Sequence, residues 1–228
     1  MNALLADAPL SRSVEDYLKV IYHLSSQGGF ATTSDIAAML VVAPPSVSGM
    51  VRRLSDSGLL EHVPYRGVQL TNQGRRAALR MIRRHRVLEL YLTERLDYDW
   101  DGVHDEAERL EHAVSDELID RMARALGNPR YDPHGAPIPT AAGEIEEAVL
   151  VSAADAEIRV VYELRQVDTE DPARLRYLAE QGLVPGKRVT VLGRQPFNGP
   201  VTLVLDPGGE RVIGRELAQL LLCRRRDS

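Results

Sequence analysis

Apolar residues recur every three or four positions in three short stretches near the start of the chain. The first, VEDYLKVIYHL, predicts a helix that stops at Gln27-Gly28-Gly29. The second, SDIAAML, predicts a helix that Thr32, Thr33 or Ser34 can cap. The third, PPSVSGMVRRLSDSG, begins with two prolines, which suit the first turn of a helix, and ends in a glycine.

An alternating stretch follows these helices. LLEHVPYRGVQLT predicts two strands that turn at Tyr65-Arg66-Gly67. Two helices joined by a short turn and followed by a strand pair make a winged helix-turn-helix, which we predict for residues 1–72. The second helix of such a pair enters the major groove of DNA.

Seven residues of this module are predicted to contact DNA, with the arginines placed for phosphates. They are Thr33, Pro45, Ser46, Ser48, Arg52, Arg53 and Arg66. A winged helix that serves only protein contacts is the alternative interpretation.

The middle of the chain carries imidazoles and carboxylates at helical spacing. An amphipathic segment from about residue 72 to 96 places His85 and Glu89 four residues apart, on one helix face. The run VHDEAERLEH, residues 103–112, predicts another helix that continues to about residue 126. Four of its side chains fall within an arc of about 100°: His104, Glu108, Glu111 and His112.

Mixed nitrogen and oxygen ligands suit manganese, iron(II) or zinc better than calcium, so this run predicts a metal site. A solvated acidic face is the alternative. We interpret His23, His62 and His134, which lie outside these groups, as structural. A broad apolar stripe on the same helix predicts packing against a second copy of the chain, and therefore a homodimer: Leu110, Val114, Leu118, Ile119 and Met122.

The last third of the chain loses the helical spacing of apolar residues. Residues 127–143 are rich in proline and glycine and predict an ordered connection that ends the helical domain of residues 73–143. We assign residues 144–157 to a linker. From residue 158 to 228, short β-type runs separated by turns predict a small SH3-like barrel with one helix near residues 173–181. The predicted fold class is therefore mainly α with a small all-β domain.

Charge is distributed unevenly along the chain. The net charge of −5 divides into +5 for residues 1–86, −13 for residues 87–157 and +3 for residues 158–228. A basic first third beside an acidic middle suits nucleic acid and metal cations as partners. With one cysteine, no membrane-span pattern and no signal-peptide pattern, we expect a cytoplasmic protein without a membrane partner.

Five segments, in this order and spacing, resemble the metal-dependent repressors of the diphtheria toxin repressor family. They are SVEDYLKVIYHL, SDIAAMLVVAPPSVSGMVRRLSDSGLL, RRHRVLELYL, VHDEAERLEHAVSDE and GAPIP. The resemblance implies a homodimer that binds manganese or iron(II), then operator double-stranded DNA, and represses metal-uptake genes when metal is plentiful.

The resemblance also implies ligands for two metal sites. The primary site is expected from Asp16, Glu108, Glu111 and His112. The ancillary site is expected from His85, Glu89 and His104, with Glu163 and Gln166 of the C-terminal domain as further ligands.

Three positions depart from the family pattern. Iron-sensing members have a methionine where Asp16 stands and a cysteine where Glu108 stands, so oxygen replaces sulfur here and favours Mn²⁺, with Fe²⁺ as the alternative. Lys19 replaces a glutamate of the short manganese sensors, which argues against a closely spaced two-manganese cluster. Gly49 replaces a base-reading glutamine of the toxin repressor, so operator preference does not transfer.

Other function classes have weaker support in the sequence. No HExxH motif and no Glu-x-x-His pair on two helices occurs, so we predict no enzyme and no small-molecule substrate other than metal ions. A metal-independent winged-helix regulator would bind DNA without regard to chelators. A metal buffer would bind metal tightly and show no sequence-specific affinity for DNA.

Overall fold

The computed structural model describes residues 10–25, 29–63 and 65–226. The chain divides into two compact units. The first comprises residues up to Arg83 together with Pro139–Ile145, and the second comprises Arg84–Ile138 and Glu146–Ser228.

The first unit has the predicted order of helices and strands. Its helices are α1 (Arg12–Ser25), α2 (Thr33–Leu40) and α3 (Pro44–Asp56), followed by strands β1 (Leu60–Val63) and β2 (Gly67–Leu70) and the first part of α4 (Asn72–Leu96). One core joins them, because each contributes apolar side chains to a single cluster; its most buried members include Leu18, Ile21, Ile36, Val47 and Leu54. Gln27 and Gly28, which we expected to end α1, lie outside the described residues.

The geometry of α2 and α3 is that of a helix-turn-helix. Thr32 caps α2 by accepting a hydrogen bond from the Asp35 backbone N–H. The chain bends by 111° between the two helices, within the range of about 90–120° typical of the motif. Among the described residues no single helix is long and apolar enough to cross a membrane; α2 and α3 meet the length and composition test only as a bent pair.

The strand pair is the predicted wing. β1 and β2 are antiparallel, with Leu60 opposite Leu70 and Val63 opposite Gly67. Ala31 exchanges two backbone hydrogen bonds with Val68, of 2.9 and 3.0 Å, which fixes the wing to the segment leading into α2. Gly67 has a φ of 125°, and a Cβ there would lie 2.4 Å from the Ala31 carbonyl oxygen, so this approach requires glycine.

In the second unit, the single helix predicted from residue 103 to about 126 is wrong. The structure has two helices, α5 (Val103–Leu110) and α6 (Asp116–Ala125). Ser115 starts α6 by accepting a hydrogen bond from the Leu118 N–H, and two acidic residues in the first turn suit the helix N-terminus. The core of these helices includes Val87 and Leu88 of α4 with Val103, Ala107, Ile119 and Ala123.

The C-terminal part forms a six-stranded antiparallel sheet in the order β3-β8-β4-β5-β6-β7. Its strands and helices are β3 (Val151–Ser152), β4 (Val161–Val167), α7 (Pro172–Glu180), β5 (Arg188–Arg194), β6 (Val201–Asp206), β7 (Gly209–Ile213), α8 (Arg215–Gln219) and β8 (Leu221–Arg225). The strands enclose one apolar core, as expected of the predicted SH3-like domain.

The sheet begins earlier than predicted. β3 pairs with β8 and lies in the segment that we had assigned to a linker, residues 144–157, and Ala153, Ala154 and Ala156 are buried in the sheet core. The alternating pattern did not reveal this strand because it is only two residues long.

The connection of residues 127–138 packs against the sheet. The Val167 N–H donates to the His134 carbonyl oxygen at 2.9 Å. A Cβ on Gly135, which has a φ of 88°, would lie 1.8 Å from the Arg165 carbonyl oxygen. Trp100 packs on the sheet core and donates from Nε1 to the Pro133 carbonyl oxygen at 2.9 Å. Helices and sheet are therefore held together inside the second unit.

Candidate metal centre and DNA-contacting face

Two helices of the second unit bring together the histidines and carboxylates singled out by spacing. α4 presents His85 and Glu89 one turn apart, and α5 presents His104 and Glu108 one turn apart. His85 Nε2 lies 3.0 Å from Glu89 Oε1 and 3.1 Å from His104 Nδ1. His104 Nδ1 lies 3.3 Å from the same Glu89 oxygen. The three side chains predicted for the ancillary site therefore meet at one point.

Glu108 extends this group. Its Oε1 lies 3.8 Å from His85 Nδ1 and 3.9 Å from His104 Nε2. One ligand atom from each of His85, His104 and Glu108 lies within 4.8 Å of the others. Metal bonds of ~2.0–2.2 Å place the ligand atoms around one ion at separations of roughly 3 to 4.4 Å, so these residues fit a divalent cation.

His85 also joins the fully buried carboxylate of Glu111. His85 Nδ1 lies 2.5 Å from Glu111 Oε2, while its Nε2 faces Glu89. Glu111 follows α5 directly and has 0% exposure; its other oxygen lies 3.5 Å from His112 Nε2. Burying a carboxylate is costly unless it is paired, and two imidazoles supply that pairing here.

The protonation of Glu89 suits metal binding. Burial pushes the pKa of Glu89 upward, but hydrogen bonds from His104, His134 and His85 outweigh it and hold the pKa well below its ordinary value. A carboxylate that stays ionised inside the protein is ready to bind a cation.

Two residues that the sequence did not assign to the metal group border it. His134, which we had interpreted as structural, has Nδ1 3.9 Å from Glu89 Oε2 and Nε2 2.9 Å from the Trp100 carbonyl oxygen. Burial alone would lower the pKa of His134, but hydrogen bonding and charge from Glu89 raise it above its usual value. Glu170, which precedes α7, has Oε2 3.4 Å from His104 Nε2.

The C-terminal ligands expected from the resemblance lie elsewhere. Glu163 accepts hydrogen bonds from Arg165 at 2.9 Å and Arg224 at 3.3 Å. Gln166 donates to Asp168 at 3.1 Å. Within the described residues neither side chain forms a hydrogen bond or ion pair with the histidine group, whereas Glu170 of the C-terminal domain contacts His104. No local spacing signals it.

Asp16, expected in the primary site, is a half-buried residue of α1 in the first unit. Its membership in a site with Glu111 and His112 stays a prediction. Cys223, the one cysteine, is buried in β8, and burial raises the pKa of its thiol to about 12. It is therefore neither reactive nor placed among the histidines.

The seven residues predicted to contact DNA are all exposed in the first unit. α3 presents Pro45, Ser46, Ser48, Arg52 and Arg53, α2 begins with Thr33, and the wing carries Arg66. Within the described part of the chain, Arg52, Arg53 and Arg66 form no ion pair, so these guanidinium groups are available to phosphates.

The apolar stripe predicted to pair with a second copy needs one correction. Leu118 is 41% exposed, and Leu110, Val114 and Met122 are partly buried against the helical core. Ile119, however, is 1% exposed and belongs to that core, because the break before α6 changes which face it occupies.

Family models match three consecutive segments of the chain. Residues 9–68 match the N-terminal DNA-binding domain of the iron-dependent repressors, residues 71–140 match their metal-binding and dimerisation domain, and residues 151–225 match the FeoA domain.

Individual relatives extend over nearly the same length. The iron-dependent repressor IdeR of Mycobacterium bovis is 34% identical over 215 residues, covering 88% of this chain and 91% of the relative. The diphtheria toxin repressor of Corynebacterium glutamicum is 34% identical over 197 residues, covering 80% and 85%. A solved manganese-dependent transcriptional repressor in complex with manganese is similar with a TM-score of 0.86, at 38% identity and coverage of 93% and 100%.

Proposed function

Because the chain belongs to the family of iron-dependent and diphtheria toxin repressors, we propose that it is a manganese-responsive member that represses metal-uptake genes when metal is plentiful. The chain is a metal-dependent DNA-binding repressor, and its family dimerisation domain supports a homodimer on operator DNA. The choice of metal, its ligands and the DNA-contacting residues make up the proposal.

The observation that carries the proposal is the meeting of His85, Glu89 and His104 within 3.3 Å of one another. These residues would hold an ancillary ion, together with Glu170. Glu108, which lies within 3.9 Å of both histidines, is counted with the primary ion, as the family resemblance implies. Glu111 and His112 would hold the primary ion, for which the family resemblance adds Glu108 and Asp16.

The donor set favours manganese. Every residue of the group offers nitrogen or oxygen, and Cys223 lies in the core of the sheet. Manganese accepts carboxylate and imidazole ligands, whereas softer metals gain more from thiolate. A bound divalent ion would neutralise the negative charge of the carboxylates around His85 and His104.

His85 couples the two ligand sets, because one imidazole contacts both Glu111 and Glu89. Occupancy of one set therefore restricts the orientation of a side chain that serves the other. The coupling free energy between metal binding and DNA binding is typically ~1–3 kcal/mol. By thermodynamic linkage, bound DNA must raise the affinity for metal by the same factor by which bound metal raises the affinity for DNA.

The test is operator binding by the metal-stripped protein, with DNA from the region upstream of its own coding sequence. Manganese, anaerobic iron(II) and a chelator are titrated in turn, and fluorescence anisotropy reports binding. We expect tight binding with manganese that is lost on chelation, and binding at higher metal concentration for Glu89→Gln.

Glu94→Gln is the matched control, because Glu94 is an exposed residue on the same helix. It should behave like the parent. Binding that ignores the chelator would show a metal-independent regulator, and an unchanged manganese requirement in Glu89→Gln would remove Glu89 from the ligand set.

A further inference from the structure

The tip of the wing exposes an aromatic side chain, Tyr65, that is not among the residues predicted to contact DNA. Tyr65 is 108% exposed, and its φ of 63° lies in the left-handed region. A bulky residue rarely adopts that conformation, because its Cβ approaches the backbone. At this exposure the side chain adds no packing to the first unit, and its place at the tip of the wing leaves it available to a partner.

The strands below Tyr65 are anchored to the segment that leads into α2. The Arg66 N–H closes the turn on the Val63 carbonyl oxygen at 3.0 Å. Just below, Gly67 lies against Ala31, whose two hydrogen bonds with Val68 anchor the strand. Tyr65 therefore projects from a strand pair that is anchored to the first unit.

The residue that follows Tyr65 carries a positive charge. The Arg66 guanidinium stands 5.4 Å from the centroid of the Phe30 ring and forms no ion pair within the described residues. The wing therefore exposes an aromatic side chain and, at the next position, a guanidinium without an ion pair. A partner that combines apolar surface with anionic charge suits both, and the sugar–phosphate walls of a DNA groove have this character.

The first turns of the DNA-contacting helix carry short side chains, so contacts from other parts of the module are expected. The groove-facing residues early in α3 are Ser46, Ser48 and Gly49, and a Cβ on Gly49 would meet nothing within 4 Å. Short side chains provide few base-edge contacts, so other parts of the module must supply affinity.

We propose that Tyr65 is a DNA-contacting residue whose ring enters the minor groove beside each half-site and packs on the deoxyribose walls. Its hydroxyl donates to the acceptors of that groove, adenine N3 or thymine O2. This inference rests on the DNA-binding role given above and names one further contact within it.

Anisotropy with an upstream duplex at saturating manganese is the first measurement. Tyr65→Ala weakens operator binding roughly tenfold, the factor that 1.4 kcal/mol corresponds to. The salt dependence stays unchanged because tyrosine is neutral, whereas Arg66→Ala lowers the salt slope by about one for each wing.

The control is Phe197→Ala, because Phe197 is 99% exposed with a φ of 58° in the turn between β5 and β6. It matches Tyr65 in exposure and backbone but belongs to the C-terminal sheet, so operator binding should not change. Tyr65→Gly separates loss of the contact from loss of folding, because glycine adopts the left-handed conformation without strain. This variant should melt no lower than the parent and should still show the weakened DNA binding.

Dimethyl sulfate footprinting places the contact, because the reagent methylates guanine N7 in the major groove and adenine N3 in the minor groove. The parent should protect adenine N3 in the flanks, and Tyr65→Ala should lose that protection while guanine N7 stays protected. Unchanged adenine N3 reactivity, or affinity within twofold of the parent, would overturn the inference.

A loss of cooperativity between dimers, with unchanged adenine N3 protection, would instead place Tyr65 in a protein contact and also overturn it. If the parent itself failed to bind with manganese, the proposed function would fail, which distinguishes the two failures.

Discussion

At the scale of single residues, His85 is the side chain that contacts both proposed ligand sets. Its two ring nitrogens face two buried carboxylates, Glu89 and Glu111, which are 3% and 0% exposed. The sequence predicted His85 from its spacing to Glu89. It could not predict the contact with Glu111, because the two residues are 26 positions apart and Glu111 lies in the break after α5.

Replacing His85 should destabilise the protein even without metal. His85→Ala leaves two buried carboxylates short of a partner, which costs about 3 kcal/mol. We therefore expect a lower melting midpoint in chelator than for the parent, and little recovery on adding manganese. His62→Ala, at an exposed position of β1, is the control and should melt like the parent. Equal midpoints for both variants would contradict the pairing described for Glu111.

Val41, like Tyr65, has a backbone conformation that its side chain disfavours. It ends α2 with a φ of 53° and is 90% exposed, although β-branched residues strongly disfavour the left-handed region. Val41→Asn should raise the stability of the first unit by ~1 kcal/mol, because asparagine tolerates that conformation. Differential scanning calorimetry checks this. Val149→Asn, at a 97% exposed position without positive φ, should leave the melting curve unchanged.

At the scale of helices and strands, local signals predicted the first unit well. Apolar spacing together with a cap or proline marked the starts of α2 and α3. The same signals were present before α6, where Ser115 precedes two acidic residues, but the apolar stripe runs on across the break. The apolar periodicity therefore predicted one helix in place of α5 and α6, and it assigned Ile119 to the stripe facing a second copy although Ile119 lies in the core.

The break between α5 and α6 contains Glu111 and His112, two of the proposed ligands of the primary ion. Ser115→Ala removes the side chain that accepts the Leu118 N–H and should destabilise α6 by about 1 kcal/mol. We expect faster amide hydrogen exchange in Asp116–Ala125 and weaker manganese binding through the adjoining ligands. Ser13→Ala, at an exposed helical position of α1, should change neither. Unchanged exchange in α6 would show that packing of Ile119, not the cap, sets its start.

At the scale of the whole molecule, the site draws on parts of the chain that no local pattern connects. His134 reaches Glu89 from the connection of residues 127–138, and Glu170 reaches His104 from the approach to α7. The position of His134 depends on the packing of that connection against β4, seen in the hydrogen bond from the Val167 N–H to the His134 carbonyl oxygen. Sequence spacing predicts ligands that share a helix and gives no information about ligands that meet only after the sheet has docked.

The contribution of the C-terminal domain can therefore be measured through metal-linked stability. Manganese at about 100 times its dissociation constant stabilises the folded protein by ~2.7 kcal/mol, and a tenfold weaker site gives ~1.4 kcal/mol under the same conditions. Glu170→Gln should accordingly halve the rise in melting midpoint that manganese produces, while leaving the midpoint in chelator unchanged, since Glu170 is 73% exposed.

Glu180→Gln is the matched control, because Glu180 is an exposed residue at the end of α7. It should keep the full manganese-dependent rise. If Glu170→Gln also keeps it, the C-terminal domain holds no ligand through Glu170, and its packing against the helices serves only to orient His134. If Glu163→Gln loses the rise in place of Glu170→Gln, the Glu163 side chain must reach the site by leaving its ion pairs with Arg165 and Arg224.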